Sequence, residues 1–169
     1  MRPARTIAMT MLGLALLWSA PASSAPSLGD SDGWYKWEVG SSATTGSSCC
    51  YRLAGKETGR TTCNLDGGHS FVVSNSLCGD SSGLTTFYVR KENGKPTRIR
   101  AFDSNCEVAA TESITDLGTL SPDESVIMLL DIVKKKNFGM DVREDALFWL
   151  AQSNSDTAFE YFDQLLSDT

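Results

Sequence analysis

The stretch TTFYVRKENGKPTRIRAF, residues 85–102, is followed at residues 121–133 by SPDESVIMLLDIV, and the change of period between the two decides the fold. In the first, Phe87 and Val89 alternate with Tyr88 and Arg90, and Ile99 and Ala101 alternate with Arg98 and Arg100. That is the two-residue period of paired strands. Glu92, Asn93, Gly94 and Lys95 lie between them, and Asn-Gly supplies the positive φ angles of a tight hairpin turn. One face of the hairpin reads as apolar and the other as polar, so a sheet covered on one side is expected. In the second stretch, Ser121, Pro122, Asp123 and Glu124 make a capping box with proline at the first helical position. Val126, Leu129, Leu130 and Val133 form the helical stripe, and Ile127, Met128 and Ile132 widen it, which implies contact on more than one side. Lys134, Lys135 and Lys136 complement the helix dipole at the other end, where Asn137 and Gly139 stop the helix.

Beyond Gly139, Asp141 to Glu144 repeats the capping pattern for a second helix with a stripe of Val142, Ala146, Trp149 and Leu150. Asn154, Ser155 and Asp156 open a third, whose inward face is expected to be Ala158, Phe159, Phe162 and Leu166. The short connection between these two helices predicts an antiparallel pair. Upstream, Trp34 to Val39, Cys49 to Leu53 and Ser70 to Val73 read as further strands, residues 107–120 as a loop and residues 23–33 as a flexible linker. The expected class is α+β: a cysteine-containing antiparallel β region over 34–118, then a three-helix part over 119–169.

The helical segment from Asp141 through Val142-Arg143, Ala146-Leu147 and Ala151-Gln152-Ser153 to Asp156-Thr157-Ala158-Phe159 and Leu165-Leu166 resembles a short HEAT-like repeat of the type found in phycobilisome lyases and many bacterial proteins. The family usually carries Gly near the end of the first helix, where this chain has Ala151 and Gln152. The resemblance implies one HEAT-like α-hairpin acting as a scaffold for protein contact, with no catalytic residues to carry over. Such repeats bury their faces by stacking. Phe148, Tyr161 and Leu165 fall off the inward stripes and are the candidate partner-binding residues.

The N-terminus predicts export. Arg2 and Arg5 precede an apolar run from Ile7 to Trp18, and Ala20 and Ala22 occupy the A-x-A positions of a signal-peptidase site. The run is too short to span a bilayer, so residues 1–22 are expected to be removed and the remainder to reside in the periplasm or outside the cell. Five cysteines then read as a disulfide framework. Cys50 with Cys63 and Cys78 with Cys106 are the expected bridges, each joining neighbours in sequence and stabilising by about 3 kcal/mol, with Cys49 left over. There is no C-x-x-C pair and His69 is the single histidine, so no metal site and no cofactor are expected.

The whole chain has 15 basic and 21 acidic residues and a net charge of −6, which disfavours nucleic acid or an anionic membrane as a partner once the signal is removed. Gly79-Asp80-Ser81-Ser82-Gly83 matches the nucleophile-elbow pattern G-x-S-x-G, with His69 upstream. A secreted serine hydrolase using Ser81 and His69 is therefore the alternative reading. Its context is wrong, because an elbow needs a helix after the serine and a strand is expected here. The leading expectation is a non-enzymatic exported interaction module that binds an unknown protein partner or forms a homodimer.

Overall fold

In the computed structural model, which describes residues 26–40, 49–54, 57–67, 72–73 and 82–167, Asn93 and Gly94 take φ values of 53° and 73°. They close the expected hairpin. Both of their backbone N–H groups donate to the Asp32 carboxylate, at 2.8 and 2.9 Å. The segment read as a flexible linker is therefore tied down at its end, and Leu28 packs against the main core.

The elements in chain order are β1 (Gly33–Gly40), β2 (Cys49–Ala54), β3 (Glu57–Arg60), β4 (Cys63–Asn64), β5 (Val72–Val73), β6 (Leu84–Glu92), β7 (Lys95–Asp103), β8 (Val108–Ala109) and β9 (Ile114–Leu120). Helices α1 (Pro122–Lys134), α2 (Met140–Gln152) and α3 (Asp156–Ser167) follow, completing the expected α+β order. The main sheet runs β7-β6-β1-β9, with β6 antiparallel to both its neighbours and β9 parallel to β1. A smaller layer is made by β2 paired with β3 and β5, and by β4 paired in parallel with β8.

Strands β8 and β9 lie where a loop was expected. Most of β9 is exposed, so its sequence ITDLGTL carries no alternation to read. It is held by backbone pairing and by Asp116, which meets Lys36 of β1 at 2.9 Å and accepts the Gly118 N–H at 2.8 Å. The boundary expected at residue 118 thus falls inside a sheet strand.

Both faces of the main sheet are covered, which corrects the expectation of a half-covered one. On one side Trp37, Val39, Phe87, Val89, Ile99 and Ala101 share a core with the stripes of α1 and α2. On the other, Trp34, Tyr88 and Phe102 pack against Cys50, Cys63 and Leu65. Tyr88 counts as polar in an alternation pattern, yet its ring is apolar and it is buried here.

Helix α1 starts as expected: the Ser121 hydroxyl accepts from Glu124 N–H at 3.2 Å, and the Glu124 carboxylate accepts from Ser121 N–H at 2.8 Å. Its wide stripe is buried except Ile127, which is exposed. Helix α2 has no side-chain cap; Gly139 occupies the N-cap and Asp141 lies inside the first turn. It packs mainly on α1 and β7, while α3 meets α1 more lightly. The most extensive helix–helix contact is that of α1 with α2. Arg143 of α2 donates to the Val133 carbonyl of α1 at 2.9 Å, and Ser155 before α3 donates to Asp123 at 2.7 Å. Helix α3 is turned by roughly a sixth of a turn from its expected setting. Ala158 is buried, and Tyr161 and Phe162 pack on the core, whereas Phe159 and Leu166 are exposed.

Two bridges fasten the small layer. Cys50 joins Cys63 as expected, with Cα atoms 5.2 Å apart. Cys106 joins Cys49, at 5.4 Å, and not Cys78. The prediction of Cys49 as the unpaired cysteine is thus overturned: successive residues of a strand point to opposite faces, so adjacent cysteines on β2 can reach separate partners. Cys78 lies outside the described residues, as do residues 1–22, His69 and Ser81.

The small layer is also joined to the sheet by Asp66. Its carboxylate accepts from the Trp34 indole at 2.9 Å, from Arg90 at 2.6 Å and from the Thr111 backbone N–H. The Thr111 and Trp34 hydrogen bonds hold the Asp66 carboxyl down at about 2, below its ordinary 3.8.

Non-reducing peptide mapping is expected to recover Cys49–Cys106 and Cys50–Cys63 peptides; a Cys78–Cys106 peptide in their place would contradict this arrangement. Because Asp66 titrates lower when folded than when unfolded, its stabilisation is complete above its ordinary value of 3.8 and disappears as pH falls through about 2. Urea midpoints measured between those limits should fall with acidity, and Asp66→Asn should make that fall shallower.

Candidate functional site

Where β1 ends at Gly40 and β6 begins, the sheet and the helices part to leave a cleft of about 350 Å³. Its walls are Val39 and Gly40 of β1, Thr85 and Phe87 of β6, Pro122, Ser125, Val126 and Leu129 of α1, and Trp149 and Gln152 of α2, followed by Ser153 and Asn154. The strand period places Thr85 and Phe87 on the helix-facing side of β6. Proline at the start of α1 and the spacing of Ser125, Val126 and Leu129 bring that helix's first turns over the same spot. Helix α2 stops here because Ser153 turns extended, with its N–H and hydroxyl both donating to the Leu150 carbonyl at 3.1 and 2.7 Å.

Aromatic rings set the inner wall. Trp37 stacks on Phe87 with centroids 5.3 Å apart, and Phe87 meets Trp149 edge to face at 5.6 Å. The buried Trp37 indole donates to the Ser125 hydroxyl at 2.8 Å, which locks α1 against the sheet. Among the described residues, none of the walls carries an ionisable side chain. These residues can hold an apolar body and offer hydrogen bonds at its margin.

A second concavity, on the other face, is polar. Asp66, Arg90, Glu92, Thr97, Arg98, Thr111 and Glu112 line about 520 Å³. Its charges are spent on one another: Arg90 pairs with Asp66, Glu92 and Glu112, and Arg98 donates to the Leu65 carbonyl at 3.0 Å. Arg90 also lies 5.7 Å from the centre of the Trp34 ring. These contacts join the small layer to the sheet.

Of the candidate docking residues, Phe148 is 56% exposed and Leu165 is 46% exposed. Tyr161 is not an outward residue: it packs on the main core, with the Lys134 ammonium 5.5 Å from its ring centre. Phe159 and Leu166, assigned inward from the sequence, are 56% and 77% exposed. Ala158, Tyr161 and Phe162 make an equally regular helical stripe, and that spacing was the signal for the observed setting of α3. Nothing in the sequence pointed to the cleft, which depends on how far two layers stand apart.

Ser81 and His69 lie outside the described residues, but the chain just after Ser81 is placed. Ser82 N–H donates to the Asp103 carboxylate at 3.2 and 3.3 Å, its hydroxyl donates to the Leu84 carbonyl at 2.9 Å, and strand β6 follows, where a nucleophile elbow has a helix. Among the described residues no group of His, Cys, Asp and Glu is arranged to hold a metal ion, and no helix is long and apolar enough to cross a membrane. Compared with known proteins, the chain matches no family model, no curated protein and no solved structure.

Proposed function

We propose that this chain is an exported, non-enzymatic binding module that docks a protein partner through the outer faces of α2 and α3. The observation that carries this reading is the set of large apolar side chains left outside the core on those two helices: Phe148, Phe159 and Leu166. These side chains lie outside both cores, and exposed large apolar groups of this kind are common at protein interfaces. Two disulfides within a small β layer support an oxidising compartment, as does the N-terminal sequence with its basic, apolar and small-residue regions. The resemblance of residues 141–166 to a HEAT-like repeat supports a contact role for the same helices.

In an exporting host, the intact mass of the protein outside the cytoplasm should correspond to loss of residues 1–22. Crosslinking in that fraction should join the chain to a partner or to a second copy, which analytical ultracentrifugation of the purified chain distinguishes. Phe148→Asp with Phe159→Asp and Leu166→Asp should abolish the crosslink while leaving the melting temperature within a few degrees, since exposed positions contribute little to folding. A crosslink that survives the triple variant would refute docking through these helices. Fluorophosphonate should leave the chain unlabelled, and labelling at Ser81 would overturn the non-enzymatic reading.

A further inference from the structure

We propose that the cleft between β1, β6, α1 and α2 is a binding site for a small neutral molecule, largely apolar and built on one or two aromatic rings. This is independent of docking through α2 and α3. The cleft's volume of about 350 Å³ is at the lower end of what small-molecule sites occupy, roughly 300–1,000 Å³. That favours a compact ligand over a long chain. Its interior is made by Val39, Phe87, Val126, Leu129 and Trp149, so water inside finds few partners and its displacement by an apolar body is favourable.

The electrical character of the walls selects among apolar ligands. Among the described residues, no Asp, Glu, Lys, Arg or His lines the cleft. A charged ligand would lose its hydration and gain no counter-charge. The near-perpendicular Phe87 and Trp149 rings, 86° apart, form a corner that can meet an aromatic ligand by face and by edge. Polar groups sit where one hydrogen-bonding substituent would point. The Ser125 hydroxyl accepts from Trp37 and so has its own proton to donate, and the carboxamides of Gln152 and Asn154 stand exposed at the mouth.

The probe is N-phenyl-1-naphthylamine, a neutral amine joining two aromatic groups, phenyl and naphthyl, that fluoresces when it leaves water. Titrated into the full chain, it should give a saturable signal at one molecule per chain and shift the indole N–H resonance of Trp149 while leaving that of Trp34, on the opposite face of the sheet, in place. Thr85→Trp, which fills the cleft from a strand position, should weaken binding by about tenfold or more. Phe159→Asp, on the outer face of α3 and away from the cleft wall, should not change it. A non-saturable signal, an unshifted Trp149 resonance, or undiminished affinity in a folded Thr85→Trp chain would overturn the proposal. Loss of the signal in Phe159→Asp would overturn it too, because the probe would then be reporting the outer helix face. The Trp149 resonance is read in the unmodified chain and decides the matter even if Thr85→Trp fails to fold.

Discussion

Two fully buried tryptophans on one strand govern how this molecule is layered. Trp34 and Trp37 are both inaccessible, and being three residues apart on β1 they point to opposite faces of the sheet. Each brings an indole N–H that must be hydrogen-bonded once out of water, because an unsatisfied buried donor costs about 1–3 kcal/mol. Trp34 finds Asp66 in the disulfide-bearing layer, and Trp37 finds Ser125 in the first turns of α1. A chain that left either face open would strand a large ring in water and forfeit the bond. The three-layer arrangement follows from that pair, and the hairpin and helices complete it.

The cross-links lie in the core that joins the small layer to the sheet. Among the described residues, Cys50, Cys63 and Leu65 are buried there with Trp34, Tyr88 and Phe102, and Cys106 and Val108 pack against them. Cys49 and Cys50 send their bridges apart, one to Cys106 after β7 and one to Cys63 on β4. The first spans 57 residues and the second 13. Closing the longer loop costs only slightly more chain entropy, since that cost grows with the logarithm of length. Nearness in sequence was therefore a weak guide to pairing, and it is the reason the bridge expected between Cys78 and Cys106 was misassigned.

The features legible in the sequence were those governed by a few neighbouring residues. Asn93-Gly94 imposes its turn through backbone angles, and Ser121 with Glu124 imposes a helix start through two reciprocal hydrogen bonds. Both stand as expected. What escaped the sequence depends on partners distant along the chain. Strand β9 exists because β1 offers an edge to its backbone, and the side-chain pair that helps to hold it, Asp116 with Lys36, joins residues far apart along the chain. The setting of α3 was ambiguous because Phe159 and Leu166 on one side and Tyr161 on the other both flank Ala158 and Phe162. Contact with α1, including Lys134 over the Tyr161 ring, turns the Tyr161 side inward. The cleft was the least legible feature, being a gap between layers and not a property of any segment.

The polar groups show why apolar surfaces carry the functional reading. The chain is acidic, yet five of its carboxylates are committed to local structure. Asp32 holds the hairpin turn, Asp66 the small layer, Asp116 the parallel strand, Asp123 the approach to α3 and Glu124 the start of α1. Hydrogen bonds from backbone N–H groups keep Asp32 and Glu124 below their ordinary carboxyl range, and Lys36 does the same for Asp116. A carboxylate held ionised in this way is a poor proton donor or acceptor near neutral pH, where catalytic acid–base groups need to titrate. The aromatic groups are divided differently. Trp34 and Trp37 are consumed by the core, whereas Trp149 borders the cleft and Phe148 beside it faces outward, their rings meeting edge to face at 5.1 Å. Helix α2 thus has one aromatic directed to each proposed site.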